Sequence, residues 1–208
     1  MEILKKMLLF FFIFFITLTT VFAQEVMTMT AFNESYTLEY NREFVKAAEA
    51  IKKGYNEKSY ETNLRAGWLN YEAGYFIESQ NYYEKAIGLK PNSLEAKFGF
   101  IYPTVALGNM DQVIAQYENI LKIDPQNITA NHQLALIYYE KKDFGSAFKY
   151  LKKEVTLYPF GYDALLLFAW SNFQLGKNKD ANLLFNKVLL IYPGDKSALE
   201  GLSLINED

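Results

Sequence analysis

Four of the five prolines, Pro91, Pro125, Pro159 and Pro193, stand 34 residues apart. A fixed period of that length marks a chain assembled by stacking one supersecondary unit, and it sets aside folds built around a single non-repeating core. Other columns keep the same period. Tyr83, Tyr117, Leu151 and Phe185 lie eight residues before the prolines, and the small residues Ser79, Val113, Ala147 and Ala181 lie twelve before. Phe76, Met110, Phe144 and Asn178 stand fifteen before, and Gly74, Gly108 and Gly176 seventeen before, with Lys142 in the remaining unit.

Each unit reads as a helix-patterned segment, a glycine-containing turn, a second amphipathic helix and a proline where helix must stop. The small residue lets two helices approach, and the ring at Tyr83, Tyr117 or Phe185 fills the space beside it. Every unit is therefore expected to be an antiparallel helical hairpin. Asn92 with Glu95 and Ser197 with Glu200 have capping-box spacing, which predicts helix starts just after Pro91 and Pro193. Pro103 falls inside a first helix, where it removes the bond to Gly99; Gly99 is expected to ease the clash by permitting a bend.

With these columns the chain resembles the tetratricopeptide repeat proteins, whose 34-residue pattern of Gly, Tyr, Ala, Phe or Tyr, Ala and Pro it follows over residues 60 to 193. Gly67, Gly74, Phe76, Tyr83, Ala86 and Pro91 occupy motif columns in one unit, whereas the motif tryptophan column holds Asn63, Lys97, Asn131 and Leu165. The resemblance implies an all-α fold, an α-solenoid of antiparallel hairpins. Repeats are expected at 60–93, 94–127, 128–161 and 162–194, within a domain spanning 24–208. Phe44, Ala47, Ile51 and Gly54 repeat the second-helix pattern at a spacing of 32, so 28–59 is expected to be a degenerate first repeat. Residues 195–208 are expected to be a capping helix with Ala198, Leu199, Leu202 and Ile205 on its covered face.

In the resembled family, columns 2, 5, 9 and 12 of each repeat face a concave groove. Here columns 5, 9 and 12 read Leu64, Trp68 and Tyr71; Phe98, Tyr102 and Val105; His132, Leu136 and Tyr139; Leu166, Trp170 and Phe173. Column 2 adds Glu61, Glu95, Thr129 and Asp163 as an acidic rim. The Lys, Arg and Asn residues of the family's carboxylate clamp are absent from these columns. An aromatic floor with an acidic rim suits a protein or peptide segment that is apolar or aromatic and carries Lys or Arg. Three other occupants fit the same face: the chain's own Gln24 to Ser35 segment, a second copy in a homo-oligomer, or a glycan stacking on the rings.

Composition narrows the chemistry. A chain with no cysteine and one histidine holds neither a disulfide nor a thiolate or multi-histidine metal site. No phosphate-cradling glycine loop or nucleophile elbow accompanies His132, which reads as a packed or hydrogen-bonding residue rather than a base. The expectation is a non-enzymatic chain without a cofactor. A net charge of −3 argues against nucleic acid as partner.

The N-terminus reads as a separate object. Lys5 and Lys6 precede an apolar run from Met7 to Leu18, and Val21-Phe22-Ala23 places small residues at the −3 and −1 positions of a cleavage site. Residues 1–23 are thus expected to be a secretory signal peptide, with a retained anchor as the alternative and no stable membrane span after cleavage. This points to an exported chain in the periplasm or cell envelope, with a bacterial host inferred from the lack of cysteine in an exported repeat protein.

Overall fold

A computed structural model describes Met7 and residues 23–207. The expected signal peptide lies, but for Met7 and Ala23, outside the described residues. Among those residues every regular element is a helix. Following α1, helical over 23–40, come α2 (Phe44–Lys53), α3 (Tyr60–Glu72), α4 (Phe76–Leu89), α5 (Leu94–Ala106), α6 (Met110–Ile123) and α7 (Ile128–Glu140). Then come α8 (Phe144–Leu157), α9 (Tyr162–Gln174), α10 (Asn178–Ile191) and α11 (Lys196–Glu207). Helices starting at Tyr60, Leu94, Ile128 and Tyr162 have 13 residues each, and their partners starting at Phe76, Met110, Phe144 and Asn178 have 14. The chain divides into two compact units, one ending at Val113 and the other starting at Ile114. Each is a stack of antiparallel helical hairpins, the α-solenoid construction.

The turns explain the glycine column. Gly74, Gly108 and Gly176 have φ of 82°, 74° and 70°, the left-handed region where a Cβ is penalised. Lys142 takes the same turn at φ 59°, and Arg42 does so at 61° between α1 and α2. The helix starts follow a second column. Ser59, Ser93 and Asn127 accept from the amides of Thr62, Ala96 and Ala130 at 3.2, 3.1 and 3.0 Å, and Asp195 accepts from Ala198 at 2.7 Å. The expected caps at Asn92 and Ser197 are thereby corrected. Glu95 does not reach back to close a capping box; it accepts from the Tyr60 hydroxyl, while Ser197 accepts from Trp170.

In the first unit Ala47, Ala48, Ile51, Ala66 and Leu69 form a buried cluster, with Phe32 and Leu38 of α1 packed on it. Ser79 is fully buried and donates to the Gly67 carbonyl at 2.7 Å, so the small column does bring α3 and α4 together. The Tyr83 ring then fills the gap: a Cβ at Gly67 would lie 2.9 Å from it, and one at Gly99 would overlap it outright. Gly99 is therefore small because Tyr83 presses against α5, not to relieve Pro103. Helix α5 continues through Pro103, which is buried.

In the second unit Leu165, Ala169, Ala181, Phe185, Val188 and Ala198 form the core. Helix α11 covers it with Ala198, Gly201, Leu202 and Ile205. Leu199, expected on that face, is 48% exposed, and Gly201 takes its place beneath the Phe185 ring. Ala198, Gly201, Leu202 and Ile205 are spaced i, i+3, i+4, i+7, the single stripe a helix presents to a flat neighbour.

Candidate functional site

The first unit holds an open cavity of about 570 Å³ between α1, α3, α4 and α5. Of the residues expected at a groove, Glu61, Leu64, Trp68, Glu95, Phe98 and Tyr102 line it together. Tyr71 extends the same aromatic surface, its ring centroid 6.0 Å from Trp68 and 5.6 Å from Tyr102. Leu64, Trp68, Tyr71 and Phe98 are half-buried, whereas Glu61 and Glu95 are exposed and Tyr102 is 51% exposed. They form one face because i, i+4, i+7 spacing on α3 and α5 turns columns 5, 9 and 12 the same way. Val105 on α5 is 50% exposed and outside the cavity lining.

Six lining residues lie outside the expected groove columns: Phe32 and Tyr36 of α1, Tyr60 and Arg65 of α3, Gly99 of α5, and Tyr83, which the repeat placed on the hairpin-packing column. The Gln24 to Ser35 segment lies within α1, and its Phe32 lines the cavity. The signal was present in the aromatic pair Phe32 and Tyr36 at i, i+4, but the irregular spacing of the first repeat hid its register.

A polar network fixes the wall of this cavity. Buried Arg65 pairs with Glu39 at 2.5 Å, donates from Nε to Ser35 Oγ at 3.1 Å, and lies 3.8 Å beneath the Tyr36 ring. The other Glu39 oxygen accepts from the Trp68 indole at 2.5 Å. The guanidinium charge is thus met inside the protein and the Trp68 ring is held in one orientation. Glu61 remains at the rim, paired with Lys90 at 3.2 Å. Hydrogen bonds from its own backbone amide, Lys90 and Ser59 hold its carboxyl below the usual range. The Lys90 ammonium also stands 3.9 Å over the Tyr60 ring. At this edge the protein already holds a primary ammonium between a carboxylate and an aromatic face.

In the second unit His132, Leu136, Tyr139, Asp163, Leu166 and Trp170 line a cavity of about 340 Å³ between α7 and α9. Phe173 stands edge-on to Trp170 at 5.7 Å. Next to it, Thr129, His132, Glu154 and Asp163 line a polar cavity of about 320 Å³. His132 Nδ1 is 3.0 Å from Glu154, a buried residue of the following helix, and that bond raises the imidazole pKa. His132 is accordingly a hydrogen-bonded residue of the wall. Trp170 is tied down as well: its indole donates to Ser197 at 2.8 Å and its ring meets Phe185 at 5.0 Å.

No group of three or more His, Cys, Asp or Glu positioned to hold a metal occurs among the described residues. No helix of the described residues is long and apolar enough to cross a membrane.

Comparison with known proteins agrees with this architecture. A protein-family model described as a tetratricopeptide repeat matches residues 60–93, and one described as anaphase-promoting complex, cyclosome, subunit 3 matches 106–188. The TPR repeat-containing protein MJ1428 of Methanocaldococcus jannaschii is 26% identical over 65% of this chain. The chain spans about a quarter of that curated relative, the match covering 27% of it. Among solved structures, MamA superposes with a TM-score of 0.68 at 18% identity, over 79% of this chain and 91% of its own. A tetratricopeptide repeat protein from Parabacteroides merdae gives 0.68 at 18%, over 85% and 71%. YrrB, described as a TPR protein with an unusual peptide-binding site, gives 0.64 at 14%, over 83% and 90%. With the helix starts at 34-residue intervals, these matches show an α-solenoid fold, with a tetratricopeptide repeat matched at residues 60–93.

Proposed function

We propose that this chain is a non-catalytic scaffold whose aromatic face takes an extended or helical protein segment bearing apolar or aromatic side chains beside Lys or Arg. One observation carries the reading: the 570 Å³ cavity of the first unit is walled by Tyr36, Trp68, Phe98 and Tyr102 and edged by Glu61 and Glu95, while its one buried cation is already paired. Aromatic walls supply contact area at small entropic cost, and the carboxylates supply sign selectivity. The peptide-binding site named for YrrB makes a peptide ligand reasonable on this fold. The proposal includes export to the periplasm or cell envelope of a bacterium, on the strength of Lys5, Lys6, the apolar run and Val21-Phe22-Ala23.

Fluorescence anisotropy tests the binding with labelled peptides that place Trp or Phe beside Lys, compared with the same peptides carrying Glu. The basic peptides are expected to bind more tightly, and Tyr102→Ala with Glu95→Gln to weaken them about tenfold or more. Equal binding of basic and acidic peptides, or an unaffected double variant, overturns the proposal.

A further inference from the structure

The second unit carries a surface that the proposed peptide site does not use. Lys149, Lys152 and Lys153 of α8 line one cavity of about 490 Å³ with Pro125, Thr156 and Leu157. The chain runs on from Leu157 into Tyr158 and Phe160, which are 53% and 59% exposed. The Lys187 ammonium of α10 stands 6.0 Å from the Phe160 ring. On that face of α10, Leu183 and Leu190 flank Lys187 at i−4 and i+3 and are 68% and 73% exposed. None of the four lysines is ion-paired among the described residues, and the one carboxylate within α8, Glu154, is turned to His132. In an acidic chain these are ammonium groups without ion-pair partners, set among exposed aromatic and leucine side chains.

The structure points to a docking surface for an anionic lipid bilayer, and we propose that α8, α10 and the loop after α8 lay the second unit against one. Tyr and Phe rings favour the headgroup boundary, where an apolar body can enter while a polar end stays wet. Lysine fits because its long stem buries along the apolar surface while the ammonium reaches lipid phosphate. A specific protein partner is the poorer match: protein interfaces favour arginine and deplete lysine, and this patch has four lysines and no arginine. The contributing residues lie on α8, α10 and their loops, so the face built from α7 and α9 takes no part.

The full chain allows a direct test, because it has no cysteine and takes a single label cleanly. An environment-sensitive fluorophore is placed at Phe160→Cys, at Tyr158→Cys as a second reporter on the patch, and at Ile77→Cys in the first unit as control. Vesicles of phosphatidylcholine with and without phosphatidylserine are the probes. A label on the patch reports docking of this surface whatever the N-terminal residues do.

A blue shift at positions 158 and 160 is expected with phosphatidylserine vesicles, absent with pure phosphatidylcholine and absent at position 77. Reversal of Lys149, Lys152, Lys153 and Lys187 to Glu is expected to weaken it about a hundredfold or more, each lysine being worth about fivefold near such a surface. No shift with either vesicle overturns the proposal, as does a shift indifferent to phosphatidylserine or to the charge reversal. A shift produced by soluble polyglutamate and not by vesicles assigns the patch to an acidic polypeptide and overturns it equally.

Discussion

Lys142 is the residue at which local strain is easiest to isolate. It sits at φ 59° in a turn where three other hairpins use glycine, and an L-residue with a Cβ costs about 1–2 kcal/mol there. Part of that is offset because glycine loses more backbone entropy on folding. Lys142→Gly is therefore expected to stabilise the protein by about 0.5–1 kcal/mol, read as a rise of about 2 °C in thermal midpoint. A fall would show that the lysine side chain contributes more than its backbone strain removes. His132 offers a second residue-scale test, because it is the one histidine in the chain and its ring protons titrate without overlap. The Glu154 hydrogen bond raises its pKa, so the NMR midpoint is expected above 6.5 and should fall in Glu154→Gln. The sign for stability follows from linkage. The pair's contribution is complete below the unfolded pKa of about 6.5 and is lost as pH rises through the higher folded value. His132→Gln should flatten that part of the pH profile. A midpoint at or below 6.5 would mean that burial of the imidazole outweighs the carboxylate.

At the scale of helices, the hairpin contact is one ring held between two glycines. Tyr83 is 3% exposed, with Gly67 on its own hairpin and Gly99 on the next. Gly99→Ala is expected to cost about 1–3 kcal/mol by overpacking, whereas the same substitution in a Tyr83→Leu background should cost much less, the two changes being strongly non-additive. Additive costs in chemical denaturation would show that the two positions do not share a contact. The period of 34 made these elements legible, since every column tied to helix packing repeats. Helix starts were harder to read because Ser93 and Asp195 each lie within two residues of a better-looking decoy. Glu95 completes capping-box spacing with Asn92, but its carboxylate is taken by Tyr60 from the preceding repeat. The tryptophan column shows the same limit. Asn63 donates to Glu57 and Ser59 carbonyls at 2.9 and 2.7 Å, and Asn131 to Pro125 and Asn127 at 3.2 and 2.8 Å, tying down the loops before α3 and α7 at the column where the motif has tryptophan. Those carbonyls become partners only once the chain has turned.

For the molecule as a whole, core and site differ in how much a repeating pattern can reveal. Ser79, Val113, Ala147 and Ala181 are all at most 1% exposed, and Tyr83, Tyr117 and Phe185 at most 8%, because the same contact recurs in each hairpin. The residues lining the α3–α5 cavity and those lining the α7–α9 cavity fall on shared columns for the same reason. Phe32 and Tyr36, and the Arg65–Glu39 pair orienting Trp68, were not legible, since they depend on α1 lying beside α3. That difference bears on separating binding from folding by mutation. Tyr102 is half exposed and joins the site through ring contacts, so Tyr102→Ala should remove ligand contact at a stability cost below about 1 kcal/mol. Phe185→Ala empties a fully buried position and should cost about 3–5 kcal/mol. Trp170 belongs to both sets, because it lines the α7–α9 cavity while bonding Ser197 and packing on Phe185. Trp170→Ala should therefore fall between them and loosen α11, the helix that supplies Ser197. Denaturation of the three variants, followed by peptide binding under conditions where each remains folded, separates the roles. If Tyr102→Ala destabilises as much as Phe185→Ala, the aromatic face of the first unit is core, and ligand contact is not what keeps those rings at the surface.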